Sequence, residues 1–249
     1  MMEAFQFKQL RVEHGASALP IGFDGVLLGA WTDVGNAKRV LDVGTGCGII
    51  ALMCAQRNPT AEIIGIDIHP DSVREASENF HNSPWSGRLE AKLLDYNALT
   101  ASDLKWGSGI DLIISNPPFF NTGIQHNKAA GLTAAYSNYR SRLAARHIDK
   151  FGPQILIEHG SKLLTEKGSI SLIFPAGLER ELISVSHNVG LFVRRICRVS
   201  NTRRVKPKRI LFQVSRQFGD CNIEEMSVRD NDGAYTHQYR QLTQNFYIK

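Results

Sequence analysis

Between residues 39 and 115, short aliphatic runs alternate with longer stretches whose apolar positions return every three or four residues. Arg39-Val-Leu-Asp-Val43 reads as a strand, Gly44, Gly46 and Gly48 follow, and residues 49–57 read as a helix. Residues 62–67 (Glu-Ile-Ile-Gly-Ile-Asp) predict a second strand. Pro70 and Asp71 open a helix whose Val73, Ala76 and Phe80 share one face, because proline fits the first helical turn. A third strand is expected near 89–94 and a fourth over 111–115. Strands alternating with helices imply βαβ units and a parallel sheet.

Residues 120–147 are polar with little apolar period, and predict a long loop with a short helical piece. Pro153 opens a helix expected to run to Gly168, followed by a strand over 169–174 and a helix over 179–189. Residues 191–199 and 209–215 alternate as strands, joined only by residues 200–208. A parallel crossover needs about a dozen residues or more, so these two strands pair antiparallel at the end of the sheet. Tyr235, Tyr239, Leu242 and Phe246 stand at helical spacing, which predicts a last helix packed back on the domain.

A chain of 249 residues fits one α/β domain with extensions, or two small domains. No apolar run approaches the roughly 20 residues of a membrane span. The opening Met-Met-Glu-Ala-Phe-Gln-Phe-Lys has no long apolar stretch and does not read as a signal peptide. Cys47, Cys54, Cys197 and Cys221 lie far apart, so free thiols in a reducing cytoplasm are expected rather than a metal site or disulfides. The net charge is +5, and residues 194–209 hold Arg194, Arg195, Arg198, Arg203, Arg204, Lys206, Lys208 and Arg209 with no acid among them. That stretch either grips phosphates or is a charged edge that keeps sheets from pairing. Lys128, Arg140, Arg142 and Arg146 offer a second cationic set, either for RNA or as ordinary surface charge.

Residues 41–48, Leu-Asp-Val-Gly-Thr-Gly-Cys-Gly, end a strand and open a helix, where glycines let a backbone approach a ligand. The third glycine comes one place too early for a dinucleotide fingerprint, and no Gly-Lys-Ser/Thr follows. The segment resembles the first motif of class I S-adenosylmethionine (SAM) methyltransferases. That resemblance implies an α/β, doubly wound, mostly parallel seven-stranded sheet with an antiparallel last strand. It also implies that Gly44, Gly46 and Gly48 pass under the amino-acid end of SAM. Asp67, followed by Ile68, would then hold the ribose hydroxyls, and Asp95, followed by Tyr96, the adenine amine. Asp42 either touches SAM or anchors the glycine loop through backbone amides.

Residues 113–120, Ile-Ile-Ser-Asn-Pro-Pro-Phe-Phe, stop a strand with prolines that cannot donate to a ladder. Asn116-Pro117-Pro118-Phe119 is either a plain turn or the Asn/Asp-Pro-Pro-aromatic signature of methyltransferases that act on planar amines. Such an amine is a poor nucleophile, because its lone pair is delocalised into the ring. The Asn116 side-chain oxygen and the Pro117 carbonyl can hold its two hydrogens and aim the lone pair at the SAM methyl group, which is catalysis by positioning. Pro117 and Pro118 fix that carbonyl, and Phe119 offers a stacking face, worth about 1–3 kcal/mol for a base. SAM is already an activated sulfonium, so the transfer needs no metal. The base must leave its stack to enter, which costs least in a loop.

Five segments extend the likeness: residues 5–9, 22–31 (with Gly22 and Asp24 beside the cofactor), 78–85, 111–119 and 242–247. In family order they resemble the bacterial tRNA (adenine-N6)-methyltransferases that modify the adenine beside the anticodon of a valine tRNA. Asp24 also reads as a helix N-cap. The family implies a cytoplasmic enzyme without metal or membrane, whose partner is a tRNA anticodon stem-loop held by Arg203, Arg204, Lys206, Lys208, Arg140 and Arg142. Residues 1–35 would cover the cofactor, 36–217 would form the methyltransferase domain, and 218–249 would pack on it. Phe119 stands where many adenine-N6 members have Tyr, which leaves guanine-N2 RNA methylation open, and protein glutamine N5-methylation would use the same four residues. The cationic stretch favours RNA over protein.

Overall fold

The computed structural model describes residues 3–15, 22–106, 109–117 and 152–247. Pro118, Phe119, Lys128, Arg140, Arg142, Arg146 and the loop expected over 120–147 lie outside the described residues.

The aliphatic runs form strands where the sequence places them. They are β3 (Arg39–Val43), β4 (Glu62–Asp67), β5 (Leu89–Leu93), β6 (Ile110–Ser115), β7 (Leu164–Pro175), β8 (Phe192–Thr202) and β9 (Arg209–Ser215). Before them come a hairpin, β1 (Glu3–Gln6) and β2 (Arg11–His14), and after them β10 (Asn222–Arg229). The helices are α1 (Phe23–Trp31), α2 (Ile49–Arg57), α3 (Pro70–His81), α4 (Pro153–Leu163), α5 (Glu179–Asn188) and α6 (His237–Thr243).

The sheet has eight strands in the order β10-β8-β9-β7-β6-β3-β4-β5. Among them only β9 runs against the rest, paired antiparallel with both β7 and β8. The seven expected strands are all present. The eighth, β10, was not anticipated and lies parallel to β8. Alternate residues of the central strands feed two cores: Val40, Ile63, Leu112 and Ile114 face α1, α2, α3 and α6, while Leu41, Ile64, Ile113 and Ile170 face α4 and α5. Helices on both faces make the sheet doubly wound.

The widest departures from expectation are at the ends of α4, β7 and β8: β7 begins at Leu164 rather than residue 169, and β8 runs to Thr202 rather than residue 199. Helix α4 ends at Leu163, not Gly168, and Leu164 already pairs with Ile110. The register then shifts before Leu112, and Gly168 sits in that irregularity, where a Cβ would lie 2.7 Å from the Ile110 carbonyl.

The β1–β2 hairpin is tied to the domain at two points. The Asn79 amide of α3 donates to the carbonyls of Glu13 and Cys47, both at 2.8 Å, and accepts from Glu13 N–H at 2.9 Å. Lys8 N–H donates to the Phe246 carbonyl at 2.8 Å, and Phe7 stacks on Tyr247 with centroids 5.9 Å apart. Thus two segments far apart in sequence meet in space.

Candidate cofactor and amine site

Strands β3, β4 and β5 are laid down outward in one direction, and β6 then joins the other side of β3. The gap between the carboxyl ends of β3 and β6 is therefore the switch point at which α/β sheets bind ligands. Val43 pairs with Ser115, so Gly44 and Asn116 leave the sheet side by side. The Ser115 hydroxyl donates to the Val43 carbonyl at 2.8 Å and pins the two exits together.

The glycine loop is built for close approach. Gly44, Gly46 and Gly48 have φ of 71°, 57° and 85°, a region that favours glycine. A Cβ on Gly44 or Gly46 would meet no described atom within 4 Å, whereas one on Gly48 would strike Phe80 Cε1 at 2.4 Å. Gly44 and Gly46 thus leave a cradle that a ligand can fill, while Gly48 packs on α3. Gly44 and Thr45 N–H both donate to the Ile66 carbonyl, at 2.9 and 3.0 Å.

Asp42 lies beneath this loop with none of its surface exposed. Its Oδ2 accepts from the Thr45 hydroxyl at 2.7 Å and from Ala51 N–H at 3.2 Å, which is the geometry of an anchor. Its Oδ1 is buried without a hydrogen-bond partner among the described residues. Burial pushes the carboxyl up to about 7, against the lowering effect of those two hydrogen bonds. Gly65 makes room for the anchor, since a Cβ there would lie 2.6 Å from Thr45 Oγ1. Burial also pushes the Cys47 thiol up to about 12, so that loop cysteine is no nucleophile at neutral pH.

The two downstream acids stand at neighbouring strand ends. Asp67 Oδ2 accepts from Gly46 N–H at 3.1 Å and Oδ1 from His69 N–H at 2.9 Å, which fixes the carboxylate against the glycine loop. Each oxygen keeps a further lone pair for a hydroxyl donor. Ile68 beside it is half-buried. Asp95 is exposed and uses Oδ1 to cap the turn at residues 96–98, accepting from Asn97 N–H at 2.9 Å. Tyr96 points the other way: its fully buried hydroxyl donates to the Leu156 carbonyl at 2.9 Å, and its ring meets His159 edge-on. Its side chain is therefore committed to α4 rather than to a cofactor.

Asn116 is half-buried and its amide has no hydrogen-bond partner among the described residues, while Pro117 is buried. Helix α1 lies alongside. A Cβ on Gly25 would sit 3.6 Å from Asn116 Nδ2. Gly22 is the exposed N-cap of α1, without a side-chain cap. Asp24 is not the cap; it sits in the first turn, and its Oδ2 accepts from Arg209 Nε at 2.8 Å.

The cationic stretch divides into two groups. Arg195 lies 4.2 Å over the Trp31 ring and 3.5 Å from Glu224, and Arg198 forms a two-point pair with Glu179 at 2.6 and 2.8 Å. With Arg209 on Asp24, these arginines hold the sheet edge to its helices. Arg203, Arg204, Lys206 and Lys208 form the exposed β8–β9 turn, where the nearest paired acid is Asp230, 3.8 Å from Arg203. Since β8 runs with β6, this turn stands at the same edge of the sheet as Asn116. No local pattern marks the Asp24–Arg209 pair or the Gly25 contact, because both join residues far apart in the chain.

Residues 25–135 match the methyltransferase small domain family. The chain is 33% identical over 247 residues to the tRNA1(Val) (adenine(37)-N6)-methyltransferase of Vibrio campbellii, covering 99% of this chain and 96% of that one. It is 34% identical over 249 residues to the enzyme of the same description from Aeromonas hydrophila, covering 98% and 97%. Among solved structures, a predicted O-methyltransferase from Agrobacterium tumefaciens superimposes with a TM-score of 0.64 at 17% identity, over 90% of this chain and 96% of that one. That likeness shows a shared fold.

Proposed function

Because the chain belongs to the family of bacterial tRNA1(Val) (adenine(37)-N6)-methyltransferases, we propose that it methylates the N6 amine of an unpaired adenine in tRNA, using SAM. The finer target we assign is the adenine 3′ of the anticodon in a valine tRNA, presented by the anticodon stem-loop. The observation that carries the reading is the pairing of Val43 with Ser115, which brings the open glycine cradle and the Asn116 amide, without a hydrogen-bond partner among the described residues, out of the sheet together.

Each residue contributes chemistry of its own. When bound, SAM supplies a methyl group on a positively charged sulfur. Gly44 and Gly46 give the backbone room for its amino-acid end, Gly48 lets the loop turn against Phe80, and Asp42 holds that loop from below. Asp67 accepts from vicinal hydroxyls, and Asp95 with the main chain of Tyr96 addresses a purine edge. Asn116 Oδ1 and the Pro117 carbonyl accept the two amine hydrogens, so the nitrogen lone pair turns out of the ring plane. Pro118 and Phe119, which follow in sequence, stiffen the turn and stack on the base. Arg203, Arg204, Lys206 and Lys208 hold backbone phosphates, with Arg140 and Arg142 as further candidates. If so, log K should fall linearly with log salt, and each lost phosphate contact should flatten that slope by about one. Cys47, Cys54 and Cys197 are buried free thiols and Cys221 is an exposed one, which suits a reducing cytoplasm.

The test uses labelled SAM with total tRNA and, separately, total protein. We expect label in tRNA, and Asn116→Ala should lose transfer while calorimetry still finds SAM bound. Label in protein alone would favour a glutamine methyltransferase, and full activity of Asn116→Ala would remove Asn116 from the mechanism.

A further inference from the structure

Beside the amine site, three rings and a guanidinium are joined face to face. Phe23, the first residue of α1, stacks on Tyr239 of α6 with centroids 5.7 Å apart and planes 23° apart. Tyr239 stacks on Tyr235 at 5.0 Å and 29°. Arg229, the last residue of β10, lies 4.2 Å over the Tyr235 ring. Tyr239 is buried, but Phe23 and Tyr235 are 40% and 43% exposed. Aromatic surface of this kind is costly to leave in water without a use.

The position of this column is informative. At one end, Phe23 shares the first turn of α1 with Gly25, which faces Asn116, and with Asp24, which holds Arg209. At the other end, Arg229 pairs with Thr202, where the exposed turn carrying Arg203, Arg204, Lys206 and Lys208 begins. The column therefore starts in the helical turn that flanks Asn116 and ends on the strand pair that opens the cationic turn, at the same edge of the sheet. Two acids stand nearby: Asp230, paired with Arg203, and Asp232, which accepts from Ala234 N–H. Flat apolar faces next to unbalanced positive charge fit a polyanion that carries planar rings, and fit an ordinary protein partner less well.

We infer that Phe23, supported by Tyr239, Tyr235 and Arg229, forms a stacking platform for a second unpaired base of the RNA, a neighbour of the base that enters the Asn116 pocket. The inference rests on the RNA reading of the site. Pulling one base from a loop strips its neighbour of a stacking partner, and an aromatic face replaces that partner. Tyr239 and Tyr235 keep the platform in place, so little ordering remains to be done on binding. Stacking is tolerant of base identity, so the platform adds affinity and register, while the pocket selects the amine.

The test compares wild type, Phe23→Ala and Phe23→Tyr on a synthetic stem-loop RNA with unpaired adenines, the neighbour of the target replaced by a fluorescent adenine analogue. Phe23→Ala should weaken RNA binding roughly tenfold to a hundredfold and abolish the fluorescence change, and Phe23→Tyr should restore both. SAM affinity and melting temperature report that the fold and cofactor site are intact. Unchanged RNA affinity in Phe23→Ala, with wild type active, would overturn the platform alone. Wild type that neither binds nor methylates RNA would overturn the functional reading as well.

Discussion

Arg209 Nε stands 2.8 Å from Asp24 Oδ2, joining the first residue of β9 to the first turn of α1. The side chains are 35% and 22% exposed, so solvent screens the pair in part. Its position gives it interest: it links the cationic turn to the helix that flanks Asn116. A double-mutant cycle with Asp24→Asn and Arg209→Gln should give a coupling of about 0.5–1 kcal/mol in urea unfolding. Strictly additive effects would show that the two groups do not interact in solution.

Gly25 separates stability from activity. It sits in a regular helix with no positive φ, and an added Cβ would meet Asn116 Nδ2 at an ordinary contact distance of 3.6 Å. Gly25→Ala should therefore raise stability by about 0.5–1 kcal/mol. The new methyl group narrows the space beside the amide, so methyl transfer should fall although the protein melts higher. A variant that is both more stable and fully active would show that substrate does not use that space.

The three glycines of the loop should fail differently. Alanine at Gly46 meets no described atom, so the cost is the left-handed backbone alone, about 1–2 kcal/mol, yet it fills the cradle. Gly46→Ala should fold and lose SAM affinity in calorimetry. Gly48→Ala must also displace the Phe80 ring from 2.4 Å, so its melting temperature should drop further than that of Gly46→Ala. Equal melting temperatures would show that Phe80 yields easily.

Asp42 makes stability depend on pH. Its carboxyl is pushed from 3.8 to about 7 in the folded protein by burial, so the folded state keeps a proton that the unfolded state has released. Its contribution is fully present below about pH 4 and is lost as pH rises through about 7, a change of about 4 kcal/mol. Asp42→Asn should remain folded, and its stability advantage over wild type should grow between pH 5 and about pH 8. A constant difference across that range would mean that the carboxyl titrates normally. The sign is opposite for Glu179, whose carboxyl Arg198 holds below the usual range and which loses its contribution as pH falls.

The legible parts of this protein were those in which one short segment carries its own constraint. Residues 39–43, 49–57, 62–67 and 209–215 have the boundaries that their apolar runs predict. The glycine loop and Asn116 meet because strand order alone brings their strand ends together. Strand β10 was not legible: only Met226 and Val228 are buried in Asn222–Arg229, and its glutamates resemble loop. An edge strand with one wet face gives little periodic signal. The end of α4 was misplaced because Gly168 reads as a helix stop, while the sheet needs it for close approach to Ile110. Asp24 looked like a cap because its true partner lies 185 residues away.

The tie between Lys8 and Phe246 sets an order of assembly. The β1–β2 hairpin leaves the ribosome long before Phe246 and Tyr247, the residues it sits on, are made. The sheet and its glycine loop can form around β3 to β9 in the meantime. Asn79 can join the hairpin to the Cys47 carbonyl as soon as α3 is made, but a nascent chain gains the second of the hairpin's two ties only when translation has passed residue 246.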